Sequence, residues 1–204
     1  MTTKLSATGL TLLRGERLLF RDLEFALNPG ELLLLEGKNG SGKTSLLRVI
    51  AGLLEPESGE IRWDGKRVRS SRQEFQNAFI WMGHAVGMKN DLTLLENLQF
   101  EARLQSPSAA EFKEVLSRLG LNRLKNLPMR ALSAGQRRRV ALARLLLSEA
   151  AVWLMDEPVA NLDTEGRKLV IDLVEDFLNS GGMVVMAAHQ DVDVEAPTHT
   201  LELS

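Results

Sequence analysis

Cysteine is absent from this sequence. Disulfides, a thiolate zinc site and an attached c-type haem are therefore excluded, and a reducing compartment fits. Aromatic residues make up 5% of the chain, all of them Phe or Trp, which leaves few platforms for stacking the bases of single-stranded nucleic acid. No uninterrupted apolar run approaches the roughly 20 residues that span a bilayer; even Val140 to Leu147 is broken by Arg144. Neither sign of charge dominates: 25 basic and 27 acidic residues give a net charge of -2. That balance argues neither for an electrostatic nucleic-acid binder nor for an acidic tail. The start, Met1-Thr2-Thr3-Lys4-Leu5, has no apolar stretch of signal-peptide length, so these residues are expected to be retained.

With 204 residues the chain can bury one core of ordinary size, and we expect a single domain, 1–204, with an inserted lobe. Leu5 to Phe25 alternates apolar and polar residues around Arg14-Gly15-Glu16, a pattern that predicts antiparallel strands and a hairpin. Leu32 to Leu35, Val152 to Asp156 and Met183 to Ala188 are short and almost wholly apolar, as strands buried on both faces should be. Helical patterns at Ser45 to Leu53, Ala134 to Ser148 and Thr164 to Asn179 then imply an α/β fold with a mostly parallel core sheet. Residues 90–130 show helical patterns at Leu92 to Leu104 and Ala109 to Leu119 and no strand pattern, which predicts a short helical subdomain inserted into the sheet.

Between the first apolar run and its helix stands Gly37-Lys38-Asn39-Gly40-Ser41-Gly42-Lys43-Thr44, a phosphate-binding loop. Its glycines let successive backbone N–H groups turn inward around a β-phosphate, Lys43 reaches the β and γ oxygens, and the Thr44 hydroxyl completes a Mg²⁺ shell. ATP-binding candidates are therefore Gly37, Lys38, Asn39, Gly40, Ser41, Gly42, Lys43, Thr44 and Ser45. A glycine-rich turn that merely caps a helix would not need strand, loop, Lys-Thr pair and helix in that order. The later run Val152-Trp153-Leu154-Met155-Asp156-Glu157 ends in two carboxylates, and sheet topology would bring them beside Lys43 and Thr44. Asp156 would hold the metal opposite Thr44, and Glu157 would accept a proton from a water aimed at the γ-phosphorus.

Leu132-Ser133-Ala134-Gly135-Gln136 opens a helix and reads first as a capping box, with Ser133 and Gln136 satisfying backbone donors reciprocally. Its sequel Arg137-Arg138-Arg139-Val140-Ala141-Leu142-Ala143-Arg144 is where the chain resembles an ATP-binding-cassette nucleotide-binding domain, whose signature is Leu-Ser-Gly-Gly-Gln followed by a basic, Ala-rich helix. The resemblance extends from about Leu5 to Leu203. It implies an ATPase of the phosphate-loop class with an N-terminal antiparallel β subdomain. It also implies a homodimer in which Ser133, Ala134, Gly135 and Gln136 meet the γ-phosphate bound by the other copy; a helix N-terminus with free N–H groups suits an anion. Asp163 in Ala160-Asn161-Leu162-Asp163 falls at the family's dimer-contacting loop, and His189, after the third buried strand, at its switch histidine. Each has a plainer alternative: Asp163 can cap the helix that starts at Thr164, and His189 can be a surface loop residue. Arg137 to Arg139 would attract a polyanion, yet on a helix they point in three directions, and we expect no nucleic-acid partner.

Three departures from the family pattern stand out. Most cassettes have a glutamine where Ile80-Trp81-Met82-Gly83-His84 places His84; an imidazole can still touch the metal shell or the attacking water, but it gains charge at about pH 6 to 7. Arg14 stands where an adenine-stacking aromatic is usual, and a guanidinium plane can also stack on a base. Ala134 replaces the first signature glycine and fits only with negative φ. Together with Gly83 to Lys89 and Leu92 to Leu98, these departures resemble the branch formed by ATP-binding subunits of the haem exporter of bacterial cytochrome c maturation. That branch implies ATP and Mg²⁺ as cofactors, integral membrane subunits as partners, and a peripheral position on the cytoplasmic face of the inner membrane. With three histidines, His84, His189 and His199, and no cysteine, direct haem ligation by this chain is not expected. The alternatives are a cassette of another exporter and a soluble phosphate-loop ATPase or kinase. A kinase has no use for the Leu132 to Gln136 signature, and a DNA-maintenance cassette would interrupt its lobe with a coiled coil far longer than 90–130 allows.

Overall fold

A computed structural model of the chain describes residues 5–70, 72–83, 87–102, 109–160, 162–189 and 192–203. The alternating N-terminal segment forms β1 (Leu5–Arg14) and β2 (Arg17–Leu27). They pair antiparallel, with Leu5 opposite Leu27 and Arg14 opposite Arg17. The apolar run after the Asn28-Pro29-Gly30 turn is β3 (Leu32–Glu36), and α1 (Lys43–Ile50) follows the glycine loop. Next come β4 (Ser58–Trp63), β5 (Lys66–Arg67), α2 (Arg72–Ala78) and β6 (Phe79–Met82). Helices α3 (Leu94–Ala102), α4 (Ala109–Arg118) and α5 (Ala134–Leu146) occupy the middle of the chain. The chain closes with β7 (Val152–Asp156), α6 (Thr164–Asn179), β8 (Met183–Ala187) and β9 (Thr198–Glu202).

Two sheets result. The antiparallel one has the order β2-β1-β4-β5 and the other β6-β7-β8-β3-β9, in which β3 runs parallel to β8 and β9, and β7 parallel to β8. Every residue of β7 and β8 is buried, as central parallel strands covered on both faces require. This is an α/β fold with a parallel core sheet and a separate antiparallel sheet. Apolar side chains from both sheets and α1, including Leu10, Leu27, Leu33, Leu47, Ile50, Leu154 and Val185, share one buried cluster. Against β7, α6 stacks Phe177 on Trp153 with ring centroids 3.9 Å apart.

The chain divides into two compact units, one of Met1–Trp81 with Ala151–Ser204, the other Met82–Ala150. The second takes in more chain than the 90–130 read from helical patterning, because α5 packs on α3 and α4 and so belongs with them. Its organising polar residue is Asn97, which is buried with 4% exposure. The Asn97 carboxamide accepts from Lys89 N–H at 2.8 Å and donates to the carbonyls of Lys89 (3.0 Å), Leu92 (3.3 Å) and Thr93 (3.0 Å). One side chain thus ties the backbone of Lys89, Leu92 and Thr93 to α3. Asn97→Ala removes all four bonds of a buried side chain, so a stability loss of about 1–3 kcal/mol is expected in denaturant unfolding; an unchanged midpoint would mean that water replaces the amide.

Candidate nucleotide-binding and hydrolysis site

The loop between β3 and α1 is shaped by three glycines at φ values that other residues rarely adopt: Gly37 at 139°, Gly40 at 81° and Gly42 at 109°. Gly42 forms the N-cap of α1 without any side-chain cap, and the first turn carries no acid, so the amides of Lys43, Thr44 and Ser45 remain donors at the positive end of the helix. Lys38, Asn39 and Gly40 are exposed, whereas Ser41 and Lys43 are buried. The Ser41 hydroxyl has no protein partner among the described residues. Lys43 folds back over the loop, its Nζ donating to the carbonyls of Gly37 (2.6 Å) and Lys38 (3.1 Å). Burial lowers the pKa of its ammonium, and the carboxylates of Glu157 and Asp156 oppose that shift.

The end of β7 reaches the same place. Thr44 Oγ1 donates to the Asp156 carboxylate, 3.1 Å from Oδ1 and 3.0 Å from Oδ2. Glu157, the next residue, adopts φ 52°, a left-handed conformation that non-glycine residues enter mostly where the surroundings impose it. Its N–H is tied to Ala187 O at 2.8 Å, and its Oε1 lies 2.8 Å from His189 Nε2. Lys43 Nζ stands 3.3 Å from His189 Nδ1 and 3.4 Å from Nε2. A ring nitrogen cannot serve both neighbours equally, and one tautomer satisfies all three groups: Nε2–H donates to Glu157 while Nδ1 accepts from Lys43. His189 is therefore no detached loop residue; it ties the lysine of one loop to the carboxylate of another.

In the second unit Ser133 caps α5. Its side chain accepts from Gln136 N–H at 3.2 Å, and Gln136 Oε1 accepts from Ser133 N–H at 2.9 Å, the reciprocal box expected from the sequence. Ala134 is not among the residues with positive φ, so its methyl group is accommodated where the family has glycine. A side chain at Gly135 would meet nothing within 4 Å, and Ser133 to Gly135 are exposed.

Comparison with known proteins shows the family. A family model described as ABC transporter matches residues 20–160. The chain belongs to the ABC transporter family. It is an ATP-binding, ATP-hydrolysing cassette of that family. It is 46% identical over 202 residues, 98% of each chain, to the cytochrome c biogenesis ATP-binding export protein CcmA of Methylococcus capsulatus. To the protein of the same name from Nitrosospira multiformis it is 45% identical, over 93% of each. Among solved structures it resembles an ABC transporter ATP-binding protein from Pyrococcus furiosus, with a TM-score of 0.84, 23% identity and 97% of each chain covered, a likeness of fold.

The remaining cassette positions fall unevenly. Arg14 stands exposed at the end of β1. His84 lies outside the described residues. Asp163 is the N-cap of α6 and accepts from Gly166 N–H at 2.8 Å, so capping is at least one of its tasks. Because Asn caps a helix about as well as Asp, Asp163→Asn should retain wild-type stability while Asp163→Ala loses about 1 kcal/mol in thermal unfolding; equal loss in both would show that the carboxylate charge matters more than the cap. The basic run is tethered: Arg138 Nη1 donates to Gly83 O at 3.2 Å and Arg137 donates to main-chain carbonyls. Among the described residues no group of three or more His, Cys, Asp or Glu could hold a metal. The Thr44 hydroxyl and the Asp156 carboxylate supply hard oxygens, as Mg²⁺ prefers when substrate phosphates complete its shell. The orphaned Ser41 hydroxyl and the open amides of α1 also fit a phosphate-bearing ligand.

Proposed function

We propose that this cassette is the ATP-hydrolysing subunit of an export complex in c-type cytochrome biogenesis, the haem exporter, and that Met1–Trp81, Met82–Ala150 and Ala151–Ser204 work as one ATP-binding domain with a helical insertion. The observation that carries the chemistry is the gathering of Lys43, Thr44, Asp156, Glu157 and His189 within hydrogen-bonding reach beside an open glycine loop. The branch is supported by near-complete coverage at 46% identity to a cytochrome c biogenesis export protein.

In this reading the amides of the loop and Lys43 bind the β- and γ-phosphates. Thr44 and Asp156 hold Mg²⁺, which when bound neutralises charge on the phosphate oxygens. Glu157 takes a proton from the attacking water at its carboxylate, and His189 holds that carboxylate and Lys43 in place. Arg14 packs on the adenine, and His84 takes part in hydrolysis in place of the usual glutamine. Two copies associate head to tail, Asp163 lies at their contact, and Ser133, Ala134, Gly135 and Gln136 of each complete the other's site. Closure on ATP and opening on hydrolysis drive integral membrane subunits. No helix among the described residues is long and apolar enough to cross a membrane, in keeping with a peripheral subunit on the cytoplasmic face of the bacterial inner membrane. Haem is handled by the partners.

Co-purification from solubilised membranes tests the assignment. A membrane subunit of cytochrome c assembly should accompany the chain and stimulate its ATP turnover; a membrane subunit of an unrelated exporter, or recovery of the chain alone, would contradict it.

A further inference from the structure

We propose that Arg137 is a positioning residue that fixes the tip of α5, so that the free amides of Ala134 and Gly135 keep one orientation toward the triphosphate held by a second copy. The inference rests on the dimer reading above.

Arg137 is the fourth residue of α5, and its own N–H makes the first intrahelical bond, to Ser133 O at 2.9 Å. Side chains on a helix lean toward its N-terminus, and this one runs back past the cap. Its Nε donates to Leu132 O at 3.1 Å and its Nη2 to Arg130 O at 3.2 Å. Three donors of one residue thus bind carbonyls at 130, 132 and 133. A planar fork suits two carbonyls that are two residues apart, whereas a lysine ammonium offers a compact charge with no fixed plane.

The turn so gripped, Met129–Ala131, is held from its other side as well. Met129 N–H donates to Leu92 O at 3.0 Å and Arg130 N–H to Asn90 O at 3.1 Å, within the segment that Asn97 pins to α3. Ser133 therefore follows a turn fixed on both sides. Helix stability does not account for the choice of residue. The first turn of α5 carries no acid, and a cation near a helix N-terminus is electrostatically unfavourable. What the guanidinium adds is a fixed entry angle for the cap, together with positive potential near exposed amides. The cap consumes the Gln136 N–H and leaves those of Ala134 and Gly135, both exposed residues, without an intrahelical acceptor.

The test uses the full chain carrying Glu157→Gln, which retains bound ATP, and follows ATP- and Mg²⁺-dependent dimerisation by sedimentation. The affinity of the single-copy cradle is measured separately with a fluorescent ATP analogue, and folding by thermal midpoint. Arg137→Ala should weaken dimerisation about tenfold, the worth of one charged hydrogen bond, with cradle affinity within about twofold of the parent. Arg137→Lys should fall between the two. Gly135→Val controls the underlying reading: it has room to fold but blocks close backbone approach. If Gly135→Val impairs dimerisation and Arg137→Ala does not, the positioning role is overturned alone. If neither has an effect, the dimer reading falls and takes this inference with it. A parallel loss of cradle affinity in Arg137→Ala would also overturn it, since a general folding defect would then be responsible.

Discussion

Replacing Glu157 with glutamine should slow ATP turnover by about two to four orders of magnitude, the usual contribution of a positioned general base, while ATP remains bound. The two side chains are nearly isosteric, so the backbone conformation at φ 52° and the bond from Glu157 N–H to Ala187 O need not change. An amide oxygen can still accept from His189 Nε2, which now lies 2.8 Å from the carboxylate. It cannot take a proton from water. Lys43 and Thr44 are untouched, so the phosphate cradle persists, and ATP should trap the dimer. Phosphate release and fluorescent-nucleotide binding measured on the same preparation separate the two effects. Turnover near the wild-type rate would remove Glu157 from the chemistry.

The second large effect comes from one methyl group. A Cβ at Gly37 would lie 2.2 Å from Leu203 O and 2.7 Å from Ser41 Oγ. The first of these is main chain, and it cannot rotate away, because Leu203 N–H is itself bonded to Glu36 O at 2.9 Å. With φ at 139°, Gly37→Ala adds backbone strain to overpacking. A destabilisation of about 3 kcal/mol, or about 10 °C in melting temperature, is expected, together with at least a roughly tenfold loss of ATP affinity as the loop shifts. Gly40→Ala is the comparison. Its φ is 81° but nothing lies within 4 Å of the added carbon, so only the conformational penalty of about 1 kcal/mol applies. If both variants melt alike, the contact between the last strand and the loop is not what demands glycine.

That contact illustrates where sequence reading stops. β3, β7 and β8 were legible because their apolar runs are unbroken, and α6 because Asp163 and Thr164 open it and its apolar spacing persists to Asn179. β9 was not. In Thr198–Glu202 only Leu201 is even partly buried, so nothing in that stretch marks a strand, although it is the neighbour of β3 and precedes the carbonyl that packs on Gly37. Nor were β4 and β5 foreseen, since charged residues and glycine on an antiparallel sheet leave a weak alternation.

The site itself is unevenly written into the chain. The phosphate loop is contiguous and its geometry local, so Gly37 to Thr44 could be read directly. The meeting of Thr44 with Asp156 follows once both neighbouring elements are recognised as parallel strands. Two chemical details needed three dimensions: His189 bridging Lys43 and Glu157, and the left-handed backbone at Glu157. Asn97 and Arg137 stayed hidden for another reason. Both act on main-chain carbonyls, which carry no residue identity, so no pairing of side-chain types announces them.

The most direct test is a structure of the Glu157→Gln chain with ATP and Mg²⁺. The account predicts two copies, with Ser133 Oγ and the amide of Gly135 from one within about 3.5 Å of the γ-phosphate held by Lys43 and Thr44 of the other. A nucleotide bound in that cradle with the Ser133 tip of every copy far from it would contradict the account.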